Sequence, residues 1–546
     1  MNFATTRMLP LVVISLFLCL LVSGIFVPIY SDEVVSKWSA SRFFLEGHNL
    51  VSLYPQCTTM SDRAVSPIFY PAALLISTVY ANLSPLGIRV SGIVLALTWF
   101  ALLAFWCFKQ TGDKTTAIQR LAGLIGLSAL GIMPYLWILS RSEQFLTLPL
   151  LIFCVTALYF KEIKSAGLQC AGALLLIVTL SCFFYMHPKS LFFLPFLLAA
   201  LWLATASYHK LVRLALLSYA VILFAQVLHE SNAIAACTDA PAIQSILAAN
   251  TLLPKMLFSA PTEFIDAAYQ NLINFPERLL RHLTFNATSQ SGWLPPIEES
   301  TGFTLFVNFL IKYCFYALVV GVHLASLLTF IVQIIKRKFS APIIMAALLA
   351  AADILNIAFF NVQHFYSGVQ FVPLSIILTA LLFQNVDISK SYGRWGIGYS
   401  VISVVSITSM IVFLLSVTPA TIKNSSSSTA TLPGQPLSIP VFNTQSHLKS
   451  IEELGASCGL TPGNAGNMVL DHMTYFAFLK EKKPIHVLYV SEIGYGGDLT
   501  HGRLLPFLRK LESPGIITRC EWIPNEFRKA QKSNDMGYCC VNFNDL

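Results

Sequence analysis

Uninterrupted apolar stretches recur along this chain from Leu9 to about residue 418, each closed by polar, proline-containing or basic residues. A helix needs about 20 such residues to cross the ~30 Å hydrocarbon core of a bilayer, and it satisfies its own backbone where no water is present. The pattern therefore predicts about eleven transmembrane helices, near 9–30, 88–108, 121–138, 145–160, 167–186, 190–207, 212–228, 313–335, 341–360, 368–386 and 396–418. The run 67–81 is apolar but short, which suits a re-entrant or interfacial helix. From Lys423 the pattern changes. Asn424, Ser425 to Ser428, Thr429, Thr431, Pro433 and Pro436 read as a flexible linker. Beyond it lie amphipathic stretches at His447–Leu454 and Asp471–Lys480, a strand-like run His486–Val490, and Gly494, Gly496 and Gly497, which read as a turn rather than a phosphate loop. The expected fold is an all-α polytopic membrane module over 1–420, a linker over 421–440 and a small α/β domain over 441–546.

Composition agrees with a chain solvated mostly by lipid: 55% of the 546 residues are hydrophobic, 11% are charged, and the mean hydropathy is +0.67. Basic residues fall on alternate loops: Lys109, Lys114 and Arg120; Lys161 and Lys164; Lys210 and Arg213; Lys336, Arg337 and Lys338; Lys390 and Arg394. This places those loops and the N-terminus in the cytoplasm, so the net charge of +8 reflects sidedness rather than nucleic-acid binding. The opposite face receives loops of about 31–87 and 229–312, turns near 139–144, 187–189 and 361–367, and the tail. Arg7 ahead of Met8–Val22 has the layout of a secretory signal, and the spans that follow favour an uncleaved signal anchor.

Of the twelve cysteines, Cys19, Cys107, Cys154, Cys170, Cys182 and Cys314 lie within or beside spans, where the residue behaves as a small hydrophobe. Cys57, Cys237, Cys458, Cys520, Cys539 and Cys540 fall in segments predicted to be exported, an even set that permits disulfides in an oxidising compartment. The simplest arrangement joins Cys57 to Cys237 and makes two pairs within the tail.

The candidate chemistry lies on the outer face. Tyr30, Ser31, Asp32 and Glu33 follow the first span directly, putting two carboxylates at the membrane boundary. The bland reading is that such charges end a span at the headgroups. The same loop adds Lys37, Trp38, Arg42, Phe43 and Phe44, then Ser66, Pro67, Ile68, Phe69, Tyr70 and Pro71, and ends at Arg89. Cations with aromatic walls suit a lipid phosphate with a long apolar tail, although each cation also reads as a snorkelling anchor. Arg141, Ser142, Glu143 and Gln144, then His187, Pro188 and Lys189, then Gln363, His364 and Tyr366 return to the same side. Ionisable groups at such depths face an internal cavity or tie helices together. Asn82, Asn286 and Asn424 fit the glycosylation triplet, and Asp471 with His472 look like an acid–base pair; neither is informative.

The acidic pair after the first span, the Pro–aromatic segment, the Arg at the second span and the turn Ser140–Glu143 together resemble the GT-C glycosyltransferase superfamily. Its members include the protein O-mannosyltransferases and the bacterial lipid A aminoarabinose transferases. The likeness covers about residues 1–420. It implies transfer of a sugar from a polyprenyl-phosphate donor to a lipid, glycan or protein acceptor at the outer face, here of a bacterial inner membrane, with Asp32 acting at the acceptor and Glu33 beside it. Two positions depart from the family: the segment at Ser66–Tyr70 lacks a doubled proline with a following lysine, and Glu143 stands where Asp is frequent. An acceptor must lose a proton as it attacks the anomeric carbon, and a carboxylate accepts it as general base. The leaving phosphate needs charge, which Arg89, Arg141 or Lys189 supplies; His187, Tyr70, His364 and Tyr366 complete the candidate binding set. A single displacement inverts the anomer. A divalent cation between Asp32, Glu33 and Glu143 is compatible with oxygen ligands, and nothing in the sequence requires one. The alternatives are a transporter or flippase of a lipid-linked saccharide, which shows two similar halves that are not evident here, and a scaffold, which leaves the buried charges without a use.

Overall fold

In the computed structural model the described residues are 3–34, 41, 44–45, 65–111, 113–237, 241–285, 294, 302–384, 392–425, 438–442, 444–461, 467–479, 484–492, 499 and 502–546. Among them, eight helices are long and apolar enough to cross a bilayer: Met8–Phe26, Pro85–Gln110, Ala166–Met186, Lys210–Ala235, Gly302–Ile335, Ala341–Phe359, Phe365–Phe383 and Gly398–Ser425. The predicted spans 145–160 and 190–207 fall on the shorter apolar helices Gln144–Tyr159 and Pro188–Ala204, and the short run 67–81 on Pro67–Tyr80.

The run 121–138 differs from its sequence reading. The helix Lys114–Ser128, opened by the Asp113 side chain accepting from Thr116 N–H at 2.7 Å, stops at Ser128. The chain then turns through Gly131, at φ +56°, makes one helical turn at Met133–Leu136, and runs irregularly to Glu143. Irregular backbone at membrane depth is tolerated only where protein satisfies it. Here Gly131 N–H donates to Ser409 Oγ at 2.9 Å, Ile132 N–H to Leu283 O at 3.0 Å, and Trp137 Nε1 to Ser128 O at 3.0 Å. Gly131 is required twice over: its φ is left-handed, and a Cβ there would lie 1.9 Å from Leu283 O.

By internal contact the chain divides into two units. The first comprises Met1–Val27, Arg89–Leu228 and Asn250–Ile422. Its innermost helix is Phe365–Phe383, of which 89% is buried, whereas 22% of Lys210–Ala235 and of Gly302–Ile335 is buried. Leu174, Leu214, Ile335 and Leu415 are more than 60% exposed, the apolar exterior that lipid solvates.

The second unit comprises Pro28–Ile88, His229–Ala249 and Lys423–Leu546. Strand β1 (Ile29–Tyr30) pairs antiparallel with β2 (Ser438–Ile439), tying the start of the first loop to the chain beyond the linker. The tail folds around a five-stranded sheet from β3 (Val469–Leu470), β4 (Ile485–His486), β5 (Gly515–Arg519), β6 (Lys532–Ser533) and β7 (Tyr538–Asn542), in the order β4-β3-β5-β7-β6. The β4-β3-β5 part is parallel, and β7 runs antiparallel to both of its neighbours. Two disulfides, Cys458–Cys540 and Cys520–Cys539, fasten β7 to the helix Thr444–Ser457 and to the end of β5. Cys237 is also disulfide-bonded, while Cys57 lies outside the described residues.

Candidate functional site

The first unit builds a buried polar cluster at the N-terminal end of helix Gln144–Tyr159, and glycine makes room for it. A Cβ on Gly92 would lie 1.9 Å from Ile138 O, so only glycine lets helix Pro85–Gln110 approach the irregular segment 129–143 this closely. One turn earlier on that helix, the wholly buried Arg89 donates from Nη1 to Ile138 O at 2.8 Å and from Nε to Val27 O at 3.1 Å. Gln144 Nε2 donates to Trp137 O. The segment that delivers Arg141 and Glu143 is thus clamped by side chains supplying the donors that its carbonyls lack.

Glu143 precedes the first turn of helix Gln144–Tyr159, where the helix dipole favours an anion. Arg141 grips its carboxylate with both arms of the guanidinium, Nε to Oε2 at 3.0 Å and Nη2 to Oε1 at 3.4 Å, and both residues are buried. Arg141 thus supplies the counter-charge that a buried carboxylate requires. The guanidinium also lies 3.5 Å from the Tyr366 ring centroid, and Tyr366 stacks on the exposed His364 at 5.1 Å.

Lys189 enters from the short helical turn after His187, whose Nδ1 accepts the Lys189 N–H at 3.1 Å. Its ammonium donates to Gln370 Oε1 at 3.0 Å and lies 4.9 Å from the Phe360 ring centroid. Gln370 belongs to the innermost helix and is wholly buried. Beside it, Asp353 and His323 meet across two helices, His323 Nε2 to Asp353 Oδ2 at 2.9 Å, with Asn356 one turn along from Asp353. Five segments therefore contribute to one interior set: Arg141 and Glu143 ahead of helix Gln144–Tyr159, His187 and Lys189 at the short turn, Gln370, Asp353 and His323.

The remaining sequence candidates lie in the second unit. Ser31–Val34 forms one helical turn, in which the buried Glu33 accepts the Tyr30 N–H at 2.8 Å and Asp32 is half-buried. Tyr70 is 38% exposed and packs edge-on against Phe44 at 5.6 Å. Lys37, Trp38, Arg42 and Phe43 lie outside the described residues. Among the described residues, no group of three or more His, Cys, Asp and Glu side chains is arranged to hold a metal ion.

No family model and no curated protein matches the chain. Solved structures do. ArnT from Cupriavidus metallidurans, crystallised bound to undecaprenyl phosphate, is similar over 98% of this chain and 97% of its own, with 11% identity and a TM-score of 0.46. The Archaeoglobus fulgidus oligosaccharyltransferase in complex with zinc and sulfate is similar over 93% of this chain and 68% of its own, with 12% identity and a TM-score of 0.42. AglB of the same organism, in complex with an inhibitory peptide and a dolichol-phosphate, gives 93%, 69%, 13% and 0.42.

The sequence reading selected Arg141, Glu143, His187, Lys189, His364 and Tyr366, and the structure gathers them into the first unit's cluster. It did not select Asp353, His323, Gln370 or Asn356. The signal was present: Asp353 is the one charged residue in Ala341–Phe359, and a carboxylate within an apolar run marks a functional or pairing site.

Proposed function

We propose that the chain is a membrane glycosyltransferase of the GT-C kind, moving a sugar from a polyprenyl-phosphate donor to a lipid, glycan or protein acceptor at the outer face of the membrane, with inversion. The observation that carries this is Lys189: a cation buried in a lipid-solvated bundle, next to the ion pair Arg141–Glu143. Gln370 accepts one of the three ammonium donors, which leaves hydrogen-bonding capacity for phosphate oxygens. Burying charge in such a bundle is expensive, and an anionic substrate group gives the expense a purpose. A polyprenyl phosphate departs as a phosphate already, so a fixed cation stabilises the charge that develops as the glycosidic bond breaks, and no acid is required.

Asp32 takes the acceptor proton in this reading. It is the more exposed of the acid pair, while Glu33 is turned back onto the Tyr30 N–H and holds the turn. Arg141 and Glu143 fix one another and Tyr366, forming one wall beside Lys189. The basic loops are cytoplasmic and the tail extracytoplasmic; the tail disulfides Cys458–Cys540 and Cys520–Cys539 support an oxidising compartment.

The test is donor turnover per folded molecule in proteoliposomes supplied with polyprenyl-phosphate-linked sugars. Asp32→Asn should lower turnover on the order of 10²- to 10⁴-fold while donor binding persists, as loss of a general base does. Lys189→Gln should weaken donor binding. Parental turnover by Asp32→Asn would remove Asp32 from the mechanism.

A further inference from the structure

We propose that Asp353 is a positioning residue for Lys189: acting through Gln370, it keeps the ammonium aimed at the donor phosphate. The inference rests on the reading of Lys189 as the phosphate contact.

Asp353 is wholly buried in a helix whose other residues carry no charge. Its Oδ2 is met by His323 Nε2 at 2.9 Å, and its Oδ1 has no hydrogen-bond partner among the described residues. A carboxylate served by one hydrogen bond in a lipid-solvated interior requires a cation or a proton. Lys189 is within electrostatic reach of Asp353, Glu143 and Arg141. The ionised groups then sort themselves. Arg141 and Glu143 form a two-pronged pair, and Asp353 faces His323 at 2.9 Å on one side and the Gln370 side chain that holds Lys189 on the other.

Gln370 lies between the two, its side chain bonded to Lys189 and within reach of Asp353. Its Oε1 accepts from Lys189 Nζ at 3.0 Å, and because an amide presents acceptor and donor on opposite arms, fixing Oε1 on Lys189 fixes where Nε2 can point. That Nε2, Asn356 Oδ1 and Nδ2, and Ser190 Oγ beside Lys189 are likewise buried without hydrogen-bond partners among the described residues. Unpartnered polar atoms on Gln370, Asn356 and Ser190 make this part of the interior polar, unlike the aliphatic packing of the surrounding spans.

The experiment measures binding of undecaprenyl phosphate to the full chain in lipid nanodiscs, with undecaprenol as the phosphate-free control. It compares the parental protein with Asp353→Asn, Asp353→Glu, Lys189→Gln and the double variant Asp353→Asn/Lys189→Gln, each checked for a single elution peak and a cooperative melt. Asp353→Asn should weaken binding about tenfold, within the coupling range of residues in one network, and Asp353→Glu should recover part of the loss. In the Lys189→Gln background Asp353→Asn should have no further effect. If Asp353→Asn does not fold, His323→Gln replaces it, with a smaller loss that also vanishes in the Lys189→Gln background. Equal losses in both backgrounds, or unchanged affinity of Asp353→Asn with Lys189→Gln weakened, overturn the positioning role and leave the phosphate reading standing. Unchanged affinity of Lys189→Gln overturns that reading, and the role of Asp353 with it.

Discussion

At the residue scale, the buried pair Arg141–Glu143 is where the chain's charges are most committed. Glu143→Gln leaves Arg141 buried without its counter-charge, and breaking such a pair from one side costs about 3–5 kcal/mol, whereas replacing both partners is far milder. The expectation is a lowered melting midpoint for Glu143→Gln that Arg141→Gln/Glu143→Gln partly restores, measured on purified protein. A stable Glu143→Gln would show that the pair does not hold the fold. The sequence identified these two residues because they stand at the mouth of a span, where polar residues are conspicuous. Asp353 and His323 escaped because a span is recognised by averaging about 20 residues, and a few polar side chains within a long apolar run are lost in the average. Lys189 was found, but its hydrogen bond to Gln370 was not: it joins segments far apart in sequence, which periodicity does not encode.

At the element scale, the run 121–138 shows what an apolar pattern omits. Hydropathy records that a stretch leaves water, not whether its backbone is a helix, and segment 129–143 leaves water while borrowing its hydrogen bonds from Ser409, Leu283, Arg89 and Gln144. Gly92 is the contact that permits this, so Gly92→Ala should destabilise the bundle by roughly 1–3 kcal/mol through overpacking, read as a lower melting midpoint, and should reduce turnover by displacing Arg141. An unchanged midpoint would mean that the helix and segment 129–143 separate freely. In the tail, β3 and β4 deliver Asp471 and His486 to the carboxyl end of the parallel strands. Burial, then the neighbouring His472, pushes the His486 imidazole down to about 3, so it folds neutral. A histidine whose folded pKa lies below its unfolded value of about 6.5 contributes stability above that value and loses it as the pH falls. Asp471, held low against burial by His472, Thr474 and Arg519, is lost in the same direction but only below about pH 4. Between pH 7.5 and 5 the tail should therefore lose up to about 2 kcal/mol from His486, seen as a falling midpoint for its unfolding within the full chain; a flat midpoint would place a charged imidazole in the folded state.

At the scale of the whole molecule, the order of apolar runs was enough to read a polytopic membrane protein with a small mixed tail, because lipid and water impose opposite compositions on the two parts. The pairing of β1 with β2 was not legible: two residues on each side, about 400 apart, leave no periodic trace, yet they anchor the turn carrying Asp32 and Glu33 to the chain beyond the linker. The proposed reaction is transfer of a sugar from a lipid phosphate, with Asp32 as the general base. Its most direct test is a mass-resolved comparison of lipid-linked sugars and outer-surface glycans in cells with and without the protein. Cells lacking it should accumulate a polyprenyl-phosphate-linked sugar and lose the matching mass increment from one surface glycan, lipid or protein, and the parental protein should restore both where Asp32→Asn at equal abundance does not. Identical profiles with and without the protein, or full restoration by Asp32→Asn, would contradict the account.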